Sequence, residues 1–272
     1  MHADYFGQKE QEEAEELSFS LRLFFGLPLS YMKQSHHNLL EGRMVQPLLF
    51  RDRHEAGQQL AQAVIAELST LSDSQRLAPP VIYGLPRGGI PVAEPLAQLL
   101  HCPLDVVVAK KITRLDNPEL AIGAVTADGQ VIRSRYENLA GQDPRVWRMA
   151  VERAQQKARG QLAQLSPHCP QTNPRGAIAI LIDDGIATGM TIAVAARAIR
   201  AKQPAALFIC APVAPKLMIE RLENWCDRVI VLIAPEAFLS VSRFYADFPQ
   251  VEMAEVIAGL ERQNAVKHPN PD

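Results

Sequence analysis

The sequence predicts an α/β protein built on an open, twisted parallel sheet with helices on both faces. Three observations carry that expectation. Apolar runs of strand length recur at 81–84, 104–109, 177–182, 207–210 and 228–233. Stretches with helical spacing lie between most of them. The runs are apolar nearly throughout rather than alternating, as strands covered on both faces require.

The elements follow in order. Asp52 or a neighbour caps a helix running to about Thr70, with Ala56, Leu60, Val64 and Leu68 on one stripe. Val81-Ile82-Tyr83-Gly84 is a short buried strand, and the glycines at 88–89 open a helix that ends near His101. Leu104–Ala109 is the next strand, and the polar stretch 111–120 reads as a loop. Ala121–Val125 and Gln130–Arg133 flank Asp128-Gly129, a strong hairpin signal. Pro144 starts a long helix to about Leu165, and Pro167–Gly176 links it to strand Ala177–Ile182. Then come a helix from about Thr191 to Lys202, strand Leu207–Cys210, helix Lys216–Trp225 and strand Arg228–Ile233.

Composition narrows the function classes. The 272 residues are 47% apolar, enough for a sizeable core, and the formal net charge of −2 gives no global support to nucleic-acid coating. The cysteines at 102, 169, 210 and 226 have no CxxC spacing and do not form a disulfide framework. His-Cys-Pro occurs at both 101–103 and 168–170, but adjacent residues do not easily aim two side chains at one metal, so turns are expected there. The apolar stretch Leu17–Leu29 is interrupted by Arg22 and Pro28 and falls short of a membrane span. The preceding Glu12, Glu13, Glu15 and Glu16 argue against a secretory signal, so a cytoplasmic location is expected. Residues 1–43 lack a sustained period and read as an extension, either disordered or ahead of a true start at Met44. Residues 44–263 then form the domain and 264–272 a tail.

The chemistry sits beyond the carboxyl ends of the strands, where open parallel sheets bind ligands. The strand at 177–182 runs into Asp183-Asp184-Gly185-Ile186-Ala187-Thr188-Gly189-Met190-Thr191 and then a helix. Two carboxylates at a strand end accept hydrogen bonds from vicinal hydroxyls or hold a hydrated Mg²⁺. The turn that follows gathers backbone N–H groups, two hydroxyls and a helix N-terminus, which makes a phosphate cradle. Neither a Walker loop nor a GxGxxG fingerprint is present.

ILIDDGIATGMT resembles the donor motif of the type I phosphoribosyltransferase family. With LPRGG and NPELAIGAV, the likeness is greatest to members whose acceptor is unassigned, and it spans roughly residues 47–263. The resemblance implies a small hood and a mobile β-hairpin lid on the parallel sheet. It implies transfer of ribose 5-phosphate from 5-phosphoribosyl-1-pyrophosphate (PRPP) to a nitrogenous base, with release of pyrophosphate, in nucleotide salvage. It further implies Mg²⁺ and a homodimer; neither a membrane nor nucleic acid is an expected partner.

Residue by residue, the resemblance gives Asp183 and Asp184 the ribose hydroxyls and the metal, through water or substrate. Gly185, Ile186, Ala187, Thr188, Gly189, Met190 and Thr191 would hold the 5-phosphate. Pro86, Arg87, Gly88 and Gly89 would form the pyrophosphate loop, with a cis peptide at Pro86–Arg87. Lys110 and Lys111 would add charge at the start of a mobile loop that passes through Asn117-Pro118-Glu119 to the Asp-Gly hairpin. Phe238 and Tyr245 would stack on the base, with Val241 nearby. Ala187 stands where enzymes for 6-oxopurines carry an Asp, so such an acceptor is not expected. Two other classes stay open. One is a PRPP-sensing regulator, which would need the basic helix side chains Arg145, Arg148, Arg153, Lys157 and Arg159; the other is an Mg²⁺-dependent nucleotide phosphohydrolase.

Overall fold

The computed structural model describes residues 50–72, 77–118, 120–134 and 143–265. The extension at 1–43, the apolar stretch at 17–29 and Glu119 lie outside them. The described chain runs α1 (Arg53–Ser69), β1 (Pro80–Gly84), α2 (Gly89–Leu99), β2 (Leu104–Val106), β3 (Ala109–Thr113), β4 (Ala121–Thr126) and β5 (Val131–Arg133). It continues through α3 (Pro144–Leu165), β6 (Ile178–Ile182), α4 (Met190–Ala201), β7 (Ala206–Val213), α5 (Lys216–Glu223), β8 (Arg228–Ile233) and α6 (Met253–Ala265).

Five strands form the parallel sheet in the order β2-β1-β6-β7-β8. The central strands β6 and β7 are buried along their whole length. Their alternate side chains feed two cores. Ile180, Ile182 and Phe208 pack with Leu60, Val64, Val92 and Leu96 of α1 and α2 on one face. Ala179, Leu181 and Ile209 pack with Ile192, Ala196 and Ile199 of α4 on the other. Each large side chain buried this way stabilises the fold by about 1.5–3 kcal/mol relative to exposure. Asp52 caps α1 by accepting from Glu55 N at 2.8 Å, which satisfies one of the free donors of the first turn.

Two elements depart from the expected order. The run 104–109 is not one strand. After β2 the Val107 N–H donates to Gly84 O at 3.2 Å and the chain crosses into a second sheet. There β3, β4 and β5 pair antiparallel. Lys110 and Lys111 therefore lie in a strand and not at the head of a loop. Helix α3 covers this small sheet, with Ala150 and Ala154 against Ile112, Ile122 and Val125. The hairpin turn falls at Asp128-Gly129 as expected, and Gly129 has φ +94°.

The second departure is α6, an element beyond the last strand that the sequence reading does not include. Its side chains fasten both His-Cys-Pro turns. Gln263 Nε2 donates to Cys102 O at 3.1 Å, and Asn264 Nδ2 donates to His168 O at 3.2 Å and Leu104 O at 3.1 Å. His168 Nδ1 also lies 2.7 Å from Glu261. The expected boundary at 263 thus falls inside a helix that continues to Ala265. Among the described residues, no helix is long and apolar enough to cross a membrane.

Candidate functional site

Neighbouring strands β1 and β6 end level with one another, with Gly84 opposite Ile182. Each releases its chain into a turn and then a helix. The N-termini of α2 and α4 are alike: neither has a side-chain cap or an acidic residue in its first turn. At α4 the first N–H groups have no intrahelical partner and lie at the positive end of the helix dipole. At α2, Gly89 N donates to Leu85 O at 2.9 Å and Ile90 N to Arg87 O at 3.3 Å, so there the dipole remains while those two donors are engaged. Helices α1 and α3, by contrast, are capped by Asp52 and Asp143.

The turn before α4 is shaped by Gly189, whose φ of +72° is a left-handed conformation that suits glycine. Thr188 is buried at its start, and Thr191 stands in the first turn of the helix. Before α2, the Pro86–Arg87 peptide is cis, at the position the resemblance implied. Gly88 then passes directly over the acid pair, and a Cβ there would overlap Asp184 Oδ2.

The two carboxyls share the space between the turns. Asp184 N donates to Asp183 Oδ1 at 3.0 Å. Burial raises the Asp183 carboxyl well above the ordinary carboxylate range, and the charge of Asp184 adds to it. Burial raises Asp184 as well, opposed by the hydrogen bond and charge of Arg53. A pair that resists carrying two negative charges is one that a cation would relieve.

Arg87 lies 3.7 Å from Glu252 at the rim. Lys110 is half-buried; burial lowers its pKa, and the charges of Arg87 and Lys157 lower it further. Arg87 and Lys157 thus both stand close enough to act on Lys110. Lys157, which the sequence places on a basic helix face, belongs to this group. Successive strand residues point to opposite faces, so Lys111 leaves the group and is exposed.

The segment after β8 closes the other side. Val241 fits so closely against Gly185 that a Cβ on the glycine would overlap its Cγ1. Phe238 is half-buried and stacks on Phe244, with centroids 5.6 Å apart and rings 16° from parallel. Tyr245 corrects the expectation that it faces a base. It is 5% exposed and packs against Phe50 and Phe248, and its hydroxyl donates to Asp184 O at 2.6 Å. Its ring supports the acid pair from below and is not available for stacking.

Arg53 is a site residue that the sequence does not signal. Its Nε donates to Asp184 Oδ2 at 2.8 Å from 131 positions away in the chain. Only the apolar stripe of α1 is readable in the sequence; no local motif marks this arginine.

The fold and site define an α/β protein with an open parallel sheet and an acid pair between two helix N-termini that lack side-chain caps. The phosphoribosyl transferase domain family matches residues 52–249, and the chain belongs to it. A provisionally named phosphoribosyl transferase of Mycobacterium tuberculosis, present in strains CDC 1551 and H37Rv, is 37% identical over 224 residues, 79% of this chain. The chain spans about half the length of these curated relatives, 47% of each. The crystal structure of TT1426 from Thermus thermophilus superposes with a TM-score of 0.65 at 32% identity, covering 79% of this chain and 99% of that one.

Proposed function

We propose that this protein transfers ribose 5-phosphate from PRPP to a nitrogen of a base and releases pyrophosphate, in nucleotide salvage. The observation that carries the reading is the acid pair held between two uncapped helix N-termini on adjacent strands. A ligand with a phosphate at one end, a pyrophosphate at the other and a diol between them fits that order of groups. Family membership supports the same donor.

Thr188, Gly189 and Thr191 bind the 5-phosphate, remote from the bond that breaks, so their binding energy orients C1. Asp183 and Asp184 accept hydrogen bonds from the ribose hydroxyls. Arg87, Lys110 and the turn at Gly88 and Gly89 receive the pyrophosphate as it departs with the electron pair of the C1–O bond. The acceptor nitrogen supplies the pair for the new C1–N bond and loses its proton. The protein's contribution is positional and electrostatic.

Among the described residues no group of three or more His, Cys, Asp or Glu side chains surrounds one point. Two carboxylates with the donor's own oxygens and water are a fitting set for Mg²⁺, which retains much of its hydration. Bound there, it would neutralise charge on the leaving pyrophosphate.

On this reading the acceptor packs against Phe238. Ala187 offers no acid toward it, which disfavours 6-oxopurines. The β-hairpin that turns at Asp128-Gly129 closes as the lid and keeps water from the ribosyl centre, and the protein works as a cytoplasmic homodimer. The test is a pyrophosphate-release screen of PRPP and Mg²⁺ against a panel of bases and small amines. Acceptor-dependent release is expected. Folded protein that shows no calorimetric affinity for PRPP with Mg²⁺ would sink the reading.

A further inference from the structure

Arg53 occupies an unfavourable place for a cation. It is the first residue of α1, where the helix dipole repels positive charge. Yet its side chain is only 10% exposed and is engaged on three sides. Nε reaches Asp184 Oδ2 at 2.8 Å, Nη1 donates to Pro249 O at 2.7 Å, and Cζ stands 3.6 Å from the centroid of the Phe248 ring. Phe248 and Pro249 belong to the stretch that follows Phe238 and Phe244, on the acceptor side in the reading above.

The backbone repeats the connection. Phe50 N donates to Phe244 O at 2.9 Å, Ala246 N to Phe50 O at 2.7 Å and Asp247 N to Arg51 O at 2.9 Å. Tyr245 meanwhile grips the Asp184 carbonyl. The 244–249 segment therefore holds Asp184 twice: at its main chain through Tyr245 and at its carboxylate through Arg53. An ordinary surface ion pair contributes little, but a guanidinium with its fork divided between two partners and its face on a ring has few alternative orientations.

We propose that Arg53 is a positioning residue: it fixes the Asp184 carboxylate for the donor and ties that carboxylate to the 244–249 segment. This rests on the proposed PRPP site and deepens it. Among the described residues Arg53 is the side chain that holds Oδ2, so the donor acid takes its aim from the acceptor-side segment.

The experiment is titration calorimetry of PRPP with Mg²⁺ into wild-type protein and R53Q, R53K and F248L, with thermal unfolding of each. R53Q should weaken PRPP binding by about tenfold or more, the scale of a lost charge-assisted hydrogen bond. R53K, which keeps a charge beside Asp184 but loses the divided fork and the flat face on Phe248, should recover only part of that loss. F248L should weaken binding by about threefold, although Phe248 belongs to neither donor turn. A folded R53Q with wild-type affinity, or R53K weaker than R53Q, overturns the proposal. If R53Q does not fold, F248L decides, and an unchanged Kd in it overturns the proposal. Absence of PRPP binding in wild type would instead reject the donor site itself.

Discussion

Gly88 and Asp184 are in such close contact that a methyl group on the glycine would overlap the carboxylate Oδ2. The aspartate cannot simply swing aside, because Arg53 holds that same oxygen at 2.8 Å. Gly88→Ala should therefore displace the acid or the turn. The expected result is a loss of PRPP affinity of about tenfold or more, with about 1–3 kcal/mol of overpacking cost. Calorimetry and urea unfolding of the variant read the two effects separately.

Asp184→Asn keeps the shape of the side chain and removes its charge. If the pair holds the ribose and the metal, kcat/KM should fall by about 10² or more. The check is pyrophosphate release with whichever acceptor the screen identifies, and wild-type turnover would remove Asp184 from the site.

Asn264→Ala tests α6 as a fastener. The side chain satisfies the backbone of Leu104 and the carbonyl of His168, at 3.1–3.4 Å. Losing it should cost about 1–3 kcal/mol, seen as a lower urea midpoint, with PRPP affinity unchanged.

Alkali should destabilise the protein from about pH 9 upward. Burial pushes the Cys169 thiol from an ordinary 9.0 to about 12, with the charge of Asp105 adding to it. Burial raises Cys226 to about 11 and Tyr83 from 10.0 to about 12. Above their ordinary values the unfolded chain gives up these protons while the folded one keeps them, so stability falls as pH rises. It is fully present below about pH 9. Urea midpoints at about pH 8 and about pH 10.5 measure the decline, and Cys169→Ala should make it shallower.

What the sequence disclosed was whatever lies contiguous along the chain. The acid pair and its Thr-Gly turn form one run, and 84–89 is another, so both grips were readable as anion-binding turns. The parallel sheet was readable because β6 and β7 are apolar from end to end. Arg53 was not, since its partner is 131 positions away and the nearby carboxylates Asp52 and Glu55 would account for a cation in that turn. Lys110 and Lys111 look equivalent as neighbours, and only the pleat of β3 separates them. Tyr245 carries an aromatic ring of the expected kind, but burial beneath Asp184 decides its use. Helix α6 carries an apolar stripe at Met253, Val256, Ile257 and Leu260, a helical period that the sequence does contain. What the period could not disclose is the polar anchoring by Gln263 and Asn264, whose partners are remote in the chain.

The two turns leave the sheet from adjacent strands whose last residues, Gly84 and Ile182, stand opposite one another. At the sheet itself those two strands are neighbours about 4.8 Å apart, a spacing set by the peptide backbone. Side-chain drift among homologues would retune how firmly each end is gripped. The level at which the two turns leave the sheet would stay as it is, because backbone pairing sets it.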